Sequence, residues 1–217
     1  MSKPPSKTIP DQSDIYPELP CAITIDTDIM EAGRPLELCL RPLHPSDRGR
    51  LEKGIMELSD QSRYLRFFSG FKTVPPSVVE QLADVDGVKH IGWGAINQSL
   101  EGSPAIGAVH AIRKDEEPDI GEFAIAVLDK YHGKGVARAL TAVLFLHCVK
   151  QGMRELDIAV MHENTKAANL VDVLTARPTH SDGAVRHYRM NLESALDALR
   201  AMENPKWLQE VFTKFDT

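Results

Sequence analysis

The sequence contains few cysteines and no long apolar run. Its three cysteines, Cys21, Cys39 and Cys148, are odd in number and far apart, with no Cys-x-x-Cys pair. This argues against a disulfide framework and against a zinc knuckle. No apolar run approaches the roughly 18 residues of a membrane-spanning helix, and residues 1–20 lack the apolar centre of a signal peptide. We therefore expect a protein of a reducing compartment, the cytoplasm, with no membrane partner.

Positive charge is also scarce. The 25 Lys and Arg residues are outnumbered by 31 Asp and Glu residues, which gives a formal net charge of -6. A bulk electrostatic attraction to nucleic acid is therefore not expected. The eight histidines show no His-x-x-x-His spacing, so no metal site is predicted.

The length of 217 residues, with 42% hydrophobic and 26% charged residues, fits one globular domain rather than two. Residues 1–20 contain five prolines among Ser, Lys and Asp, a composition that cannot bury enough apolar surface to offset the entropy of ordering the chain. We predict a disordered or mobile tail over residues 1–20 and a single domain over residues 21–217 with a C-terminal helix.

Hydrophobic periodicity predicts alternating strands and helices. Gly33 suits a hairpin turn between the first two strands, the central strands read as an antiparallel meander, and the segment 177–183 reads as a loop. Strands are expected at 21–25, 36–40, 90–97, 105–112, 120–128, 156–161 and 184–192, and helices at 46–58, 60–68, 75–83, 136–149, 165–174 and 194–202.

The most informative segment, Glu122 to Arg138, consists of a strand, a short polar turn and a glycine-rich helix start. Gly133 and Gly135 let the backbone approach a ligand, and the first amides of a helix form an anion site. Lys134 and Arg138 add positive charge there. Alternatively, the two glycines only make a tight strand-to-helix turn. Neither the phosphate-loop spacing Gly-x-x-x-x-Gly-Lys-Ser/Thr nor a Gly-x-Gly-x-x-Gly fingerprint is present.

The segment His132-Gly-Lys-Gly-Val-Ala137 resembles the acyl-CoA loop Gln/Arg-x-x-Gly-x-Gly/Ala of the GCN5-related N-acetyltransferase (GNAT) family. Leu40 to Asp47 is similar to the family's first strand and helix start, and Ser62 to Phe68 is similar to a stretch of its bacterial protein-lysine acetyltransferases. The resemblance covers about residues 36–192. It implies an α/β (α+β) fold with a mixed, mostly antiparallel sheet, splayed near Val127 and flanked by helices.

The resemblance also implies a binding site for acetyl-CoA or another short acyl-CoA. The pantetheine arm would pair with the backbone of Ile125, Ala126 and Val127. Asn164 would contact the cofactor near its thiol, and it is also a preferred residue type for capping the helix that begins at Thr165. The pyrophosphate would lie on the backbone amides of His132, Gly133, Lys134, Gly135, Val136, Ala137 and Arg138.

Glu122 is the predicted catalytic residue. At the two-residue period of a strand it shares a face with Ala124 and Ala126, whose small side chains leave room beside the carboxylate. A lysine amine is only roughly one part in 10³ neutral at pH 7, so transfer to it needs a base. The related protein acetyltransferases have a glutamate here. Alternatively, Glu122 is a solvated residue following the turn at Ile120-Gly121.

The implied reaction is acetyl transfer from CoA to a primary amine, with protein lysine as the leading acceptor. Acetylation of a small amine and a non-catalytic acyl-CoA-binding module remain alternatives. The sequence departs from the family pattern in three places: His132 replaces Gln or Arg, Thr175-Ala176 replaces Gly-Phe, and the helix after Asn164 lacks the tyrosine that often acts as general acid. Tyr188 is a possible substitute. Arg63 and Arg66 line either a substrate channel or the core.

Overall fold

The structure, a computed structural model, describes residues 22–215. The predicted N-terminal tail lies outside these residues. The described strands form one eight-stranded sheet in the order β1-β2-β3-β4-β5-β6-β8-β7. The strands are β1 (Ile23–Glu31), β2 (Arg34–Pro42), β3 (His90–Asn97), β4 (Ala105–Arg113), β5 (Ile120–Val127), β6 (Glu155–Met161), β7 (Arg177–Asp182) and β8 (Val185–Asn191).

Seven α-helices occur within residues 22–215. They are α1 (Arg48–Glu57), α2 (Asp60–Phe67), α3 (Pro76–Ala83), α4 (Val136–Lys150), α5 (Thr165–Val173), α6 (Leu192–Arg200) and α7 (Leu208–Phe215). Within this part of the chain, no helix combines the length and the apolarity needed to cross a bilayer.

Neighbouring strands are antiparallel except for one pair, β5 and β6. The first hairpin turns at Ala32 and Gly33, whose φ angles are 50° and 80°. Positive φ at both central residues matches the twist of the two flanking strands. The predicted hairpin, the predicted meander and the mixed, mostly antiparallel sheet are confirmed.

Helices cover both faces of the sheet. Trp93, Val109 and Phe123 point to the face that carries α4, and they join its side chains in the main core. The alternate positions point to the other face, where Ala108 packs with Leu43 and Leu51 at the base of α1. α4 is buried nearly all round and passes into Gly152 at φ 79°, as the apolar run from Val136 and the helix-ending glycine predict.

Three features differ from the expectations. Residues 177–182 form the strand β7 rather than a loop, and all six residues are exposed. Because an edge strand is held by backbone hydrogen bonds to its neighbour, it needs no apolar face and carries no hydrophobic pattern. Strands β1 and β2 extend to the Ala32-Gly33 turn. A further helix, α7, follows α6, and it packs against α4 and β1.

Candidate functional site

A gap opens in the sheet between β5 and β6. These parallel strands pair only from Ile120 to Glu122, which lie opposite Glu155 to Asp157. Beyond Asp157, β6 continues to pair with β8 on its other side, whereas no described strand pairs with β5 on this side. The strands thus part at Glu122, earlier along the chain than the predicted splay near Val127. The edge of β5 beyond Glu122 is open to a ligand.

The register with β4 decides which backbone groups of β5 face the gap. The amide of Leu128 donates to Ile106 O at 2.9 Å, and the same antiparallel register continues through Ala126 opposite Ala108. Because successive residues of a strand direct their N–H and C=O groups to opposite sides, Ala126 bonds to β4 while Ile125 and Val127 face the gap. Of the three backbone positions implied by the family resemblance, two therefore lie on the open edge.

A glycine-rich turn joins β5 to α4. Gly133 and Gly135 have φ values of 72° and 88°, a left-handed conformation that glycine adopts without a steric penalty. Among the described residues, no backbone carbonyl accepts a hydrogen bond from the amides of residues 133–138. Gly133 and Lys134 are exposed. The turn therefore presents free N–H donors at the positive end of the α4 dipole, which is an arrangement that binds anions.

The chain between α6 and α7 closes one wall of this turn. A Cβ on Gly135 would lie 2.6 Å from Pro205 Cγ and 3.0 Å from a ring carbon of Trp207, whereas one on Gly133 would meet nothing within 4 Å. Arg138 Nη1 donates to Asn204 O at 2.9 Å. The Arg138 guanidinium is therefore engaged with the wall, and Lys134 is the cation left at the open side.

His132 links the open edge of β5 to α5. Its Nε2 lies 2.7 Å from Val127 O, and its Nδ1 lies 2.8 Å from Lys166 Nζ. A carbonyl oxygen can only accept and an ammonium can only donate, so Nε2 carries the hydrogen and Nδ1 accepts. His132, which replaces the family's Gln or Arg, thus donates a hydrogen bond to the carbonyl oxygen of Val127. The amide of Val127 still faces the gap.

Asn164 lies at the start of α5, after the end of β6. Its side-chain oxygen accepts from Ala167 N at 3.0 Å, which is the geometry of a helix N-cap. The capping role is confirmed. The side-chain NH₂ group has no partner among the described residues, so the contact with a cofactor stays a prediction.

Glu122 lies at the point where β5 and β6 part, and its side chain is exposed. No described residue forms a hydrogen bond or an ion pair with its carboxylate. The neighbouring Asp157 is engaged by Arg189 Nε at 2.8 Å and by Lys114. Phe123 and Val127 are buried in the core, as the predicted alternation requires. Glu122 therefore offers a free carboxylate beside the gap.

On the same face as Glu122, a cleft lies between β3 to β5 and the helices α1 and α2. Its floor is made of small residues, among them Gly94, Ala108 and Ala126, and apolar walls come from Leu51, Ile55, Leu58 and Phe67. The cleft encloses an empty volume of about 680 Å³, including its open mouth. Because Ala126 and Leu128 line it, the cleft begins beside the open edge of β5.

Asp47, whose carboxylate lines this cleft, is already paired with Arg41. Arg41 donates to both oxygens of Asp47, at 2.7 and 2.6 Å. Although burial acts to raise the pKa of Asp47, the hydrogen bonds and charge of Arg41 outweigh it and lower the pKa. The pair is thus a fixed, neutral unit at the base of α1.

Two buried histidines form a short chain that ends at the cleft. His90 Nδ1 lies 2.8 Å from Asp84 O, and His90 Nε2 lies 3.0 Å from His110 Nδ1. Burial, helped by the charges of His90 and Arg66, holds the pKa of His110 well below its usual range, so His110 is neutral. The carbonyl fixes the hydrogen on His90 Nδ1, so His110 Nδ1 donates to His90 and its Nε2 carries only a lone pair.

Asp129 ties the end of β5 to the start of α2. It accepts from Ser59 N and Ser59 Oγ, both at 3.0 Å, and from Ser62 Oγ at 2.7 Å. Burial acts to raise the pKa of Asp129, but these hydrogen bonds prevail and lower it to about 2. The wall of the cleft and the glycine-rich turn are therefore connected through one carboxylate.

Sequence reasoning missed the His90–His110 chain and the role of Asp129. The two histidines are twenty residues apart, and only the register of β3 with β4 brings them together. The one signal in the sequence was that each of two strands made mostly of apolar or small residues carries one histidine. Within residues 22–215 no three His, Cys, Asp or Glu side chains converge as a metal site.

The sequence and the fold are each similar to those of known proteins. The family model described as Acetyltransferase (GNAT) family matches residues 60–172, which include Glu122, the gap and the glycine-rich turn. The structure is similar to the crystal structure of the GNAT domain of S. lividans PAT, with a TM-score of 0.67 and 22% identity, over 78% of this chain and 96% of that domain.

Two curated relatives are similar in sequence. "Acetyltransferase Pat" of Mycolicibacterium smegmatis is 28% identical over 137 residues, which are 63% of this chain and 40% of the relative. "Acetyltransferase PA5475" of Pseudomonas aeruginosa is 29% identical over 131 residues, which are 58% of this chain and 67% of the relative. The match thus spans less than half of the M. smegmatis protein.

Proposed function

The chain belongs to the GNAT acetyltransferase family, and from that premise we propose that it transfers an acetyl group from acetyl-CoA, or another short acyl-CoA, to a primary amine. The observation that carries the proposal is the juxtaposition of two unpaired sets of backbone groups. The open edge of β5 beyond Glu122 leads directly to the free amides at residues 133–138. The edge of β5 offers hydrogen bonds to an extended pantetheine arm, and the amides of residues 133–138 offer hydrogen bonds to a diphosphate. The two groups follow each other in the same order along CoA.

In the proposed complex, Ile125 and Val127 hold the pantetheine arm as an added strand, because their backbone groups face the gap. The pyrophosphate lies on the amides of residues 133–138, with Lys134 beside it. A helix dipole contributes about 0.3–1 kcal/mol to binding an anion at its N-terminus. Gly133 supports this placement, because its surroundings are open and a phosphate can approach the backbone there.

The proposed chemistry is direct attack of the amine on the thioester carbonyl. The acceptor ammonium first gives one proton to Glu122, directly or through a water. The neutral nitrogen then forms a bond to the carbonyl carbon, the C–S bond breaks, and the second proton that nitrogen loses as the amide forms passes to solvent. An ammonium with a pKa near 10.4 costs roughly 4–5 kcal/mol to deprotonate at pH 7. The carboxylate of Glu122 suits this role because it is exposed at the gap and has no partner among the described residues.

The departing thiolate needs no protein acid in this proposal. Tyr188, the candidate substitute for the family's tyrosine, is buried in the core with 6% of its surface exposed and lies on β8, beyond β6 from the gap. A free thiol has a pKa near 8.5, about two units below that of the amine, so the thiolate is an acceptable leaving group. CoA therefore leaves as the thiolate and takes its proton from solvent.

Protein lysine is the proposed acceptor, on the resemblance of Ser62 to Phe68 to the protein-acetyltransferase branch. One observation favours a small amine instead: the cleft beside the β5 edge is enclosed by α1 and α2, and such a site suits a compact substrate. A third candidate, a non-catalytic acyl-CoA-binding module, is favoured by Thr175-Ala176 and by the absent tyrosine.

The test is transfer from acetyl-CoA labelled in its acetyl group. We expect label in lysine residues of a lysine-rich protein, together with one free thiol per acetyl group transferred. Label in a panel of small amines but not in protein would select the second candidate. Calorimetric binding of CoA without turnover of any amine would select the third, and failure to bind CoA at all would overturn the whole proposal.

A further inference from the structure

Arg66, in the last turn of α2, lines the cleft, and none of residues 22–215 gives its guanidinium an anionic partner. Among the described residues no carboxylate lies within ion-pair distance of it, and its one recorded contact is with the ring of Phe67, 4.8 Å from Cζ to the centroid. Other arginines of these helices are engaged. Arg63 pairs with Asp60, Arg48 pairs with Glu80, and Arg50 donates to Ser103 O.

Arg66 is half-buried: its side chain lines the cleft while part of its surface stays exposed. Burial lowers the pKa of Arg66 to about 10, so the group stays cationic at neutral pH. The side chains around it do not compensate the charge, because Asp47 is paired with Arg41 and His110 is neutral. A half-buried cation without a counter-charge is partly desolvated, and a bound anion would compensate its charge.

The rest of the cleft selects the kind of anion. The floor of the cleft is glycine and alanine and its walls are leucine and phenylalanine, and the other two arginines that line it, Arg41 and Arg50, already donate to Asp47 and to Ser103 O. A guanidinium presents two parallel N–H groups that match the two oxygens of a carboxylate. Ala126 belongs both to the cleft and to β5, so a molecule bound at Arg66 can extend to the open edge of β5.

We propose that Arg66 binds a carboxylate of a substrate in this cleft, and this rests on the proposed acetyl transfer. The carboxylate has two possible sources with the same chemistry. It belongs to the amine acceptor, as a free amino acid or as an acidic residue beside the target lysine, or it belongs to the acyl group of a dicarboxylic acyl-CoA. In either case Arg66 is a specificity-determining residue that does not touch the reacting atoms.

The experiment compares matched substrates on the full chain and its Arg66→Met variant. Acceptor pairs are L-lysine with L-lysinamide, and a short peptide carrying glutamate beside its lysine with the glutamine version. The donor pair is succinyl-CoA with acetyl-CoA. We expect kcat/KM to favour the carboxylate member of one pair by about 10-fold to 100-fold, the usual range for a charge-assisted hydrogen bond, and Arg66→Met to abolish that preference.

The neutral substrates and a control variant separate this inference from the proposed function. Arg66→Met should keep its activity on the neutral members and should not lower the thermal midpoint, and Arg48→Met, at an exposed arginine on α1, should keep the preference itself. Equal kcat/KM for both members of every pair in the unmodified protein would overturn the inference while acetyl transfer stands. If no substrate turns over, titration calorimetry with the acetylated glutamate and glutamine peptides decides the inference, and an affinity independent of Arg66 overturns it.

Discussion

At the scale of single residues, Glu122 is the position on which the proposed chemistry depends. Replacing Glu122 with glutamine removes the base but keeps the size and polarity of the side chain. General-base catalysis contributes about 10²- to 10⁴-fold, so kcat should fall within that range while the KM for acetyl-CoA stays unchanged. Steady-state kinetics of thiol release measures both constants.

The control for this substitution is Glu101→Gln, which removes one exposed carboxylate in the turn before β4 and should leave kcat unchanged. A Glu122→Gln variant with full activity would exclude Glu122 from the mechanism.

The two glycines of the turn before α4 should respond differently to alanine. Both have positive φ, which costs a non-glycine residue about 1–2 kcal/mol. At Gly135 the new methyl group also meets Pro205 at 2.6 Å, and overpacking of this kind costs about 1–3 kcal/mol more. Urea unfolding should therefore show a larger loss of stability for Gly135→Ala than for Gly133→Ala.

Gly133→Ala is the matched variant, since its methyl group points into open space. If that space receives the pyrophosphate, Gly133→Ala should weaken CoA binding more than its small effect on stability suggests. Equal unfolding free energies for the two variants would contradict the close contact between this turn and the segment after α6.

At the scale of secondary-structure elements, Asp129 joins α2 to the end of β5 by side-chain hydrogen bonds. Its hydrogen bonds hold the N-terminus of α2, and with it the cleft wall, against the end of β5. The pKa of Asp129 is lowered to about 2, compared with about 3.9 in an unfolded chain. Its contribution to stability is therefore complete above pH 4 and is lost as the pH falls from about 4 to about 2.

Asp129→Asn should accordingly reduce stability at pH 7 and flatten the dependence of the unfolding free energy on pH between about 4 and 2. Denaturant unfolding at a series of pH values measures this. The effect should be modest, because Asp129 is exposed and solvent screens its interactions. Asp182→Asn, at an exposed position of β7, is the control and should keep the slope of the original protein.

At the scale of the whole molecule, ligand binding should couple to global stability. The proposed CoA site uses the edge of β5, the start of α4 and the start of α5, which only the folded chain holds in position together. A ligand that binds only the folded state at 100 times its Kd stabilises it by about 2.7 kcal/mol. For a chain of this size that is a rise in Tm of roughly 5–10 °C.

Thermal unfolding with and without acetyl-CoA measures this shift. Adenosine alone lacks the pantetheine arm and the diphosphate, so it should produce almost no shift. A null result with CoA in large excess would mean that the free amides at residues 133–138 do not bind a diphosphate, and the proposed function would fail with them.

Much of the architecture could be read from local sequence. The strands β3 to β5 and the helices α2 to α5 lie within two residues of their predicted bounds, because each has its own hydrophobic period and ends at glycine, proline or a capping residue. The role of Asn164 as a helix cap follows from the same kind of local pattern. The glycine-rich turn was recognisable because an anion site made of backbone amides depends on chain geometry within a few residues.

Other features depended on contacts between distant parts of the chain. The exposed strand β7 is held by pairing with β8, and its own side chains carry no signal of it. Which of Ile125, Ala126 and Val127 faces the gap is decided by the register with β4. The sequence by itself thus determined the elements, the fold class and the anion-binding turn, because these arise from near neighbours. Only the tertiary structure left Arg66 without a partner and joined His90 to His110, because pairing and burial depend on which residues meet across the sheet.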